Sequence, residues 1–97
     1  MRIISQNGRY DLPYNKCIIQ IDGREITASL VGKPDSYCQM VFYSTKEEVE
    51  DAMDDLHAAF ILHEAYKMAD TKLKSAILTG LNDKKNIMSC RGIFQFS

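Results

Sequence analysis

The change from strand to helix in this chain lies within residues 41–56, which read VFYSTKEEVEDAMDDL. Either Ser44 followed by Glu47 or Thr45 followed by Glu48 forms a capping box, in which the hydroxyl and the glutamate satisfy backbone N–H groups at a helix N-terminus. The residues before this point suit a strand, and the apolar residues after it recur at intervals of three and four. We therefore predict that a helix begins at residue 45, directly after a strand.

The predicted helix has an apolar face suited to a sheet, formed by Val49, Ala52, Met53, Leu56, Ala59, Phe60 and His63. From residue 58 onward, apolar groups occupy more than one helical face, and such a helix needs a second partner. A chain of 97 residues also has a thin core, which makes burial between subunits useful. We therefore expect a homo-oligomer, a dimer or larger, with an interface that contains Ile61, Leu62, Ala65 and Met68.

Residues 45–81 are predicted to be helical, either as one long helix or as two consecutive ones. No glycine or proline interrupts this segment before Gly80, which permits a single helix. Asp70 or Thr71 can instead cap a second helix with Leu73, Ile77 and Leu81 on one side. Gly80 and the polar residues 82–86 are expected to end the helical region in a loop.

The first 44 residues are predicted to form four or five antiparallel strands. Asn7-Gly8 and Asp22-Gly23 have the composition of two-residue hairpin turns, because Asn, Asp and Gly tolerate a positive φ. On both sides of Asp22-Gly23, apolar and polar residues alternate with the period of half-buried strands. Residues 32–36 are expected to form a turn that leads into a strand at residues 38–43.

The whole chain, residues 1–97, is predicted to be a single domain of the α+β class. Residues 1–44 are β-rich, residues 45–81 are helical, and residues 87–97 supply a C-terminal strand or a tight pair of strands interrupted by Gly92. Four to six strands are expected to form an antiparallel sheet packed on one long or two consecutive helices.

Composition and charge exclude several classes of protein. A chain of 97 residues that is 45% hydrophobic and 26% charged excludes a multidomain enzyme, a disordered tail and a membrane protein. Its formal net charge of -1 argues against a general nucleic-acid or anionic-membrane binder. The N-terminus turns polar after Ile4, so we expect no signal peptide and a location in the cytoplasm. Cys17, Cys38 and Cys90 are widely spaced in apolar segments, which is typical of reduced core cysteines.

The residues give no positive support for catalysis. His57 and His63 are six apart, which places them about 240° from each other around a helix and prevents them from sharing a metal ion. The sequence contains no GxSxG, HExxH, Walker or GxGxxG pattern. We therefore predict that the protein is not an enzyme and that it has no metal site and no cofactor.

Charge is segregated along the second half of the chain. Residues 46–66 carry seven acidic side chains and one basic one, whereas residues 67–97 carry six basic and two acidic ones, giving net charges of -6 and +4. Acidic side chains in the first turns of a helix and basic ones near its last turns both complement the helix dipole. The basic group can also attract a small phosphate-bearing ligand or an acidic partner.

The candidate ligand-binding residues are chosen by residue type and position. Arg24, beside a hairpin turn, and Arg91, before Gly92, are candidates for phosphate contacts, because guanidinium groups bind phosphate oxygens in a bidentate manner. Phe94 is a candidate for stacking on a base, and Asn82 and Asn86 for hydrogen bonds to base edges.

Several segments together resemble small proteins encoded by phages and prophages of Gram-positive bacteria. They are the opening MRIISQNG, the DLPY of residues 11–14, the strand that ends in FYST at residues 42–45 before an acidic helix, and the closing GIFQF of residues 92–96. Within that group the organisation resembles the Thoeris anti-defence sponges, which are small sheet-plus-helix proteins that form dimers or larger oligomers. The resemblance implies immune evasion, in which the protein sequesters a cyclic ADP-ribose isomer or a cyclic oligonucleotide without cleaving it.

Two other functions stay open from the sequence. The acidic helix face of residues 47–55 can mimic nucleic-acid charge and occupy the basic groove of a host protein. A structural or regulatory phage protein without a ligand is the third possibility. Absorbance near 260 nm separates the sponge from the charge mimic, because a sponge retains a nucleotide and a charge mimic does not.

Overall fold

A computed structural model describes residues 1–97 and every side chain except that of Pro34. It confirms the α+β class, with six strands and three helices. The elements in chain order are β1 (Arg2–Ile4), β2 (Asp11–Pro13), β3 (Cys17–Asp22), β4 (Glu25–Leu30), β5 (Lys33–Phe42), α1 (Lys46–Met68), α2 (Thr71–Gly80), α3 (Lys84–Cys90) and β6 (Ile93–Gln95), with a short 3-10 turn at Tyr14–Lys16.

The six strands form two three-stranded sheets. In one sheet, β3, β4 and β5 follow each other as an antiparallel meander. In the other, β1 lies between its antiparallel partner β2 and β6, with which it pairs in parallel. The sequence predicts one antiparallel sheet, whereas the structure joins the C-terminal strand to the N-terminus in parallel. This pairing is possible because the helices between β5 and β6 carry the chain back across the molecule.

The turn between β3 and β4 lies one residue later than predicted. Asp22 pairs with Glu25 as the last rung of the ladder, so Gly23 and Arg24 are the two turn residues. Gly23 has a φ of 63°. Glycine at the first central position is the requirement of a type II′ turn.

The connection between β1 and β2 is longer than the predicted two-residue turn. Ile4 pairs with Asp11, which leaves residues 5–10 as a loop. Asn7 Oδ1 accepts a hydrogen bond from the Arg9 N–H at 3.0 Å and one from the Ser5 hydroxyl at 2.7 Å. These side-chain bonds stabilise a wider loop than the composition of Asn7-Gly8 indicates.

β5 begins at Lys33, earlier than the predicted strand at residues 38–43. The predicted turn at residues 32–36 is replaced by a two-residue connection, Val31 and Gly32, where Gly32 has a φ of 79°. The Ser36 hydroxyl accepts from the Leu30 N–H at 2.7 Å and donates to the Lys33 carbonyl at 2.6 Å. This bridge joins β4 to β5 where the register shifts between Ala28 and Leu30.

The core lies between the sheets and one face of α1. The buried residues of α1 are Val49, Ala52, Leu56, Ala59 and His63, which confirms the predicted apolar face. The largest hydrophobic side chains buried against them come from β1, β4, β5, β6 and the residue after β6, namely Ile3, Ile26, Met40, Phe94 and Phe96. Sequence segments from both ends of the chain therefore meet in one core.

The helical region divides at residues 69–70 into two helices, as the alternative with an Asp70 cap predicts. Asp70 Oδ1 accepts a hydrogen bond from the Leu73 N–H at 2.8 Å, and α2 buries none of its residues. Residues 87–90 were expected in a strand, but they belong to α3, whose N-cap is Asp83. None of the helices in the described part of the chain combines the length and apolarity needed to span a membrane.

His63 and Gly92 fix the end of α3 against α1. The buried His63 imidazole donates from Nδ1 to the Cys90 carbonyl at 3.1 Å. Gly92 has a φ of +83°, and a Cβ atom at this position would lie 3.0 Å from His63 Cε1. Glycine is needed here for both the backbone conformation and the close approach.

Thr45, rather than Ser44, caps α1, because the Thr45 hydroxyl accepts from the Glu48 N–H at 3.2 Å. We expect Thr45→Ala to lower the free energy of unfolding by about 1 kcal/mol, the usual contribution of a capping side chain. Ser44→Ala is the matched control and should leave stability unchanged. Chemical denaturation of both variants checks this, and equal losses would contradict the assignment of the cap.

Gly92→Ala should destabilise the protein more than Gly32→Ala. Both glycines have a positive φ, but a Cβ at Gly32 meets no atom within 4 Å, whereas a Cβ at Gly92 meets the His63 ring. We expect about 1 kcal/mol of backbone strain in each variant and about 1–3 kcal/mol of added overpacking at Gly92. Thermal or chemical unfolding measures the difference, and equal losses would show that the His63 contact carries no constraint.

Candidate functional site at helix α3

Two cavities flank α3, and the first lies between α1 and α3. It has a volume of about 330 Å³. Its charged lining comes from Asp55 on α1 and from Asp83 and Lys85 around the start of α3. Asn86 and Ser89 are polar, while Leu62 and Phe94 contribute apolar surface. We call it the α1–α3 cavity. Two carboxylates against one ammonium group make it a poor place for an anion.

The second cavity lies between α3 and β6 and also has a volume of about 330 Å³. We call it the α3–β6 cavity. Its lining consists of Asp83, Lys84, Lys85, Met88, Ile93 and Gln95. The Gln95 amide donates from Nε2 to the Ser5 carbonyl at 3.2 Å, which holds this side chain in place. The cavity thus combines two lysines, one carboxylate and one amide with two apolar side chains.

Lys85 borders both cavities and connects α3 to the core. Its Nζ lies 3.9 Å from Asp55 Oδ2 and 5.1 Å from the centroid of the Phe94 ring. An ammonium group over an aromatic face is attracted by the ring quadrupole. Its contacts therefore fix Lys85 on the α1 side, while Lys84 is exposed to solvent.

The structure brings together only part of the predicted ligand-binding set. Asn86 and Phe94 line the same α1–α3 cavity. Asn82 is exposed immediately before α3, and Arg91 is exposed as the C-cap at its other end. These four residues surround α3 but do not form one lining.

Arg24 contacts the β3–β5 sheet instead of α3. Its Nη1 donates to the Ser44 carbonyl at 3.4 Å, and its guanidinium carbon lies 5.2 Å from the centroid of the Phe42 ring. Arg24 occupies the tight turn between β3 and β4, so its side chain contacts the neighbouring end of β5. Neither Arg24 nor Arg91 lines either of the two α3 cavities.

Phe94 is a core residue, which corrects the prediction that its ring offers a free face to a base. The side chain is only 2% exposed. Its ring forms an edge-to-face pair with Phe96 at a centroid distance of 5.1 Å, and Lys85 lies over it. Successive side chains of a strand point to opposite faces of the sheet. Phe94 in β6 therefore points into the core, while its neighbours Ile93 and Gln95 line the α3–β6 cavity.

Sequence reasoning missed Lys84, Lys85, Met88, Ile93 and Gln95 as neighbours in one cavity. The adjacent lysines were a visible signal within the basic C-terminal third. However, residues 82–86 were predicted to be a loop, and residues 87–90 a strand. Without α3, no helical spacing related the lysines to Met88.

A third cavity, of about 260 Å³, lies between β3 and α1 and is lined in part by Tyr14, Cys17 and His57. Burial raises the pKa of the Cys17 thiol, and the charge of the nearby Cys38 raises that pKa further. A nucleophilic cysteine requires a lowered pKa, so the environment of Cys17 favours the unreactive thiol. Burial raises the pKa of the Cys90 thiol as well.

The two histidines have separate environments. His57 is exposed on α1, whereas His63 is buried and bonded to the Cys90 carbonyl. Among the described residues, no group of three His, Cys, Asp or Glu side chains is placed to hold a metal ion. All three cysteines are free thiols.

Comparisons of the chain with family models, with curated proteins and with solved structures gave no match.

Proposed function

We propose that the protein is a non-catalytic binding protein that sequesters a small phosphate-bearing ligand of the cyclic-nucleotide type in the α3–β6 cavity. One observation carries the proposal: the cavity places exposed Lys84 beside the Gln95 amide and the apolar Met88 and Ile93. Lys85 also lines the cavity, but its ammonium group lies 3.9 Å from Asp55 on the α1 side. Ammonium groups form charge-assisted hydrogen bonds with phosphate oxygens. An amide can bond to a base edge, and apolar walls cover a base or a ribose.

The two α3 cavities differ in how well they suit an anion. In the α1–α3 cavity, Asp55 is already within ion-pair distance of Lys85. In the α3–β6 cavity, Asp83 is the only acidic side chain among the lining residues, and as the N-cap of α3 its carboxylate accepts the backbone N–H of Lys85 at 2.8 Å. The phosphate is therefore assigned to the α3–β6 cavity, with exposed Lys84 as its first contact.

Sequestration without cleavage fits the chemistry around the site. Ligand cavities usually span about 300–1,000 Å³, so a cavity of about 330 Å³ accepts one nucleotide unit of a cyclic ligand. We assign no general base and no nucleophile to this cavity. We place the protein in the cytoplasm of a phage-infected bacterium, as the resemblance to the anti-defence sponges implies.

The test begins with the absorbance spectrum of the purified protein. The chain has no tryptophan and five tyrosines, so a retained nucleotide would stand out near 260 nm. Calorimetry with cyclic ADP-ribose isomers and with cyclic di- and trinucleotides then measures affinity, and heating the complex releases the ligand for mass analysis. We expect one member of the panel to bind with a Kd below about 10 μM and to be recovered unaltered. Weaker binding throughout the panel, or an altered ligand, would contradict the proposal.

Lys84→Glu should weaken binding of that ligand by about ten- to a hundredfold, because a hydrogen bond to a charged group contributes about 1.5–3 kcal/mol. Lys16→Glu is the matched control, since Lys16 is exposed in the 3-10 turn and lines neither α3 cavity. Equal affinities of the two variants would reject the α3–β6 site. A loss of affinity only in Arg24→Ala or Arg91→Ala would instead assign the site to the arginines predicted from the sequence.

A protein-interaction inhibitor is a second candidate, favoured by the exposure of all six carboxylates in residues 47–55. Such a face suits the basic groove of a nucleic-acid-binding protein. This candidate predicts no retained nucleotide. It also predicts a complex with a basic protein that weakens as salt rises and that is unaffected by Lys84→Glu.

A further inference from the structure

Strand β3 forms an edge of the β3–β5 sheet and has one open side. It pairs only with β4, and the ladder runs without interruption from the Cys17–Leu30 pair to the Asp22–Glu25 pair. The strand contains three isoleucines and neither lysine nor proline, the residues that commonly block an edge. Its open side can therefore accept another strand.

The pairing with β4 determines which backbone groups point to the open side. The Val31 N–H donates to the Lys16 carbonyl at 2.9 Å, in the same register as the pairs of the β3–β4 ladder. Hydrogen-bonded and non-hydrogen-bonded pairs alternate along an antiparallel ladder. The even-numbered residues of β3 therefore bond to β4, and the backbone groups of the odd-numbered residues point outward.

These outward groups come from Cys17, Ile19 and Ile21. The Cys17 N–H donates to the Tyr14 carbonyl at the end of the 3-10 turn, which leaves the Cys17 carbonyl free. In the part of the chain that the structure describes, no second strand pairs with Ile19 or Ile21 from this side. The open side thus presents two N–H groups and three carbonyls in strand geometry.

Apolar side chains lie along the same edge. Ile18 is 48% exposed and Ile21 is 44% exposed, and they project from opposite faces of the sheet. Ile19 is half-buried and packs against the core. A strand added at this edge would therefore cover apolar surface on both faces while it bonds to the free backbone groups.

We propose that β3 pairs with β3 of a second copy in an antiparallel two-fold arrangement, which joins two three-stranded sheets into one continuous sheet. A two-fold interface uses the same patch on both subunits. With Ile19 opposite the partner's Ile19, the two residues exchange both of their backbone hydrogen bonds. In the same register, each Ile21 N–H meets the free carbonyl of the partner's Cys17. Every free N–H group on the open side then has an acceptor.

Charge identifies the occupant as a second copy and selects this register. Lys16 and Asp22 are exposed at opposite ends of β3, and the register places each Lys16 beside the partner's Asp22, at a pair without hydrogen bonds where side chains are closest. A shift of two residues in one direction would place Lys16 beside the partner's Arg24, with like charges. A shift in the other direction would place Ile21 beside Asn15 in the 3-10 turn, where the strand has ended.

The pairing also extends the third cavity, the one between β3 and α1. Cys17 and Ile19 line this cavity along the edge. Side chains that are directly opposite in an antiparallel pair lie on the same face of the sheet. The partner's Ile21 is then beside Cys17 and the partner's Ile19 is beside Ile19, so the second copy adds to the apolar wall.

The β3 edge differs from the interface that the sequence predicts on α1. Of the predicted residues, Ile61, Ala65 and Met68 are exposed, whereas Leu62 is half-buried and lines the α1–α3 cavity. A helix satisfies its own backbone hydrogen bonds, so that surface offers side chains alone. The β3 edge offers side chains, unpaired backbone groups and a matching order of charges.

Amide hydrogen exchange, measured by nuclear magnetic resonance at low and high micromolar concentration, tests the pairing residue by residue. We expect a mass of about 22 kDa by light scattering at the high concentration, twice the 11.1 kDa of one chain. The N–H groups of Ile19 and Ile21 should be protected only there. Those of Ile18 and Gln20 are the internal control, because they bond to β4 at both concentrations. A mass of 11 kDa throughout, or fast exchange at Ile19 and Ile21 in a 22 kDa species, would overturn the proposal.

Charge reversal tests the register. Lys16→Glu and Asp22→Lys should each raise the dissociation constant about tenfold, because each creates two pairs of like charge across the edge. An equimolar mixture of the two variants should restore the affinity, since every pair then joins opposite charges. Lys72→Glu, at an exposed position of α2, is the matched control. Dimers that are insensitive to Lys16→Glu, or a mixture that does not recover, would reject this register. Neither Lys16 nor Asp22 lines the α3–β6 cavity, so ligand affinity should stay unchanged in both variants.

Discussion

The close approach of Gly92 to the His63 imidazole is the constraint on which the position of α3 and β6 depends. The His63 ring is held by the Cys90 carbonyl, and the Gly92 carbonyl accepts the Arg2 N–H at 2.8 Å. One residue pair therefore links the C-terminal part of α1 to the end of α3 and to the first strand. From this junction β6 runs parallel to β1, and the rings of Phe94 and Phe96 enter the core. Both α3 cavities exist because the helix is fixed in this position.

The local elements of the fold could be predicted from the sequence, because their signals lie within a few residues. The capping box at Thr45, the spacing of Val49 to His63 and the alternation around Gly23 all depend on neighbours along the chain. The sequence left two alternatives for residues 45–81, and the one with a second helix capped by Asp70 or Thr71 is correct, with Asp70 as the cap. The predicted positions of the turns were less accurate, because a shift of one residue changes the turn from Asp22-Gly23 to Gly23-Arg24.

The non-local features could not be predicted in this way. The short apolar run of residues 87–90 suits a strand as well as a helix, and its contact with His63 on α1 lies far away in sequence. The parallel pairing of β6 with β1 depends on the whole path of three helices. The candidate site shares this dependence, because Lys84 and Gln95 become neighbours only when α3 packs beside β6. Arg24 and Arg91 were chosen by residue type and by position along the chain, and neither of these gives the distance between the two side chains in the fold.

The basic residues of the second half of the chain include both lysines of the proposed ligand site. Lys84 and Lys85 line the α3–β6 cavity, to which we assign the phosphate-bearing ligand. A nuclear magnetic resonance titration of the ¹⁵N-labelled protein with the cyclic nucleotide that binds most tightly tests the ligand site most directly. We predict that backbone shifts concentrate at residues 83–88 and 93–95; unchanged spectra at saturating ligand, or shifts confined to the Arg24 turn or the acidic helix face, would contradict this assignment.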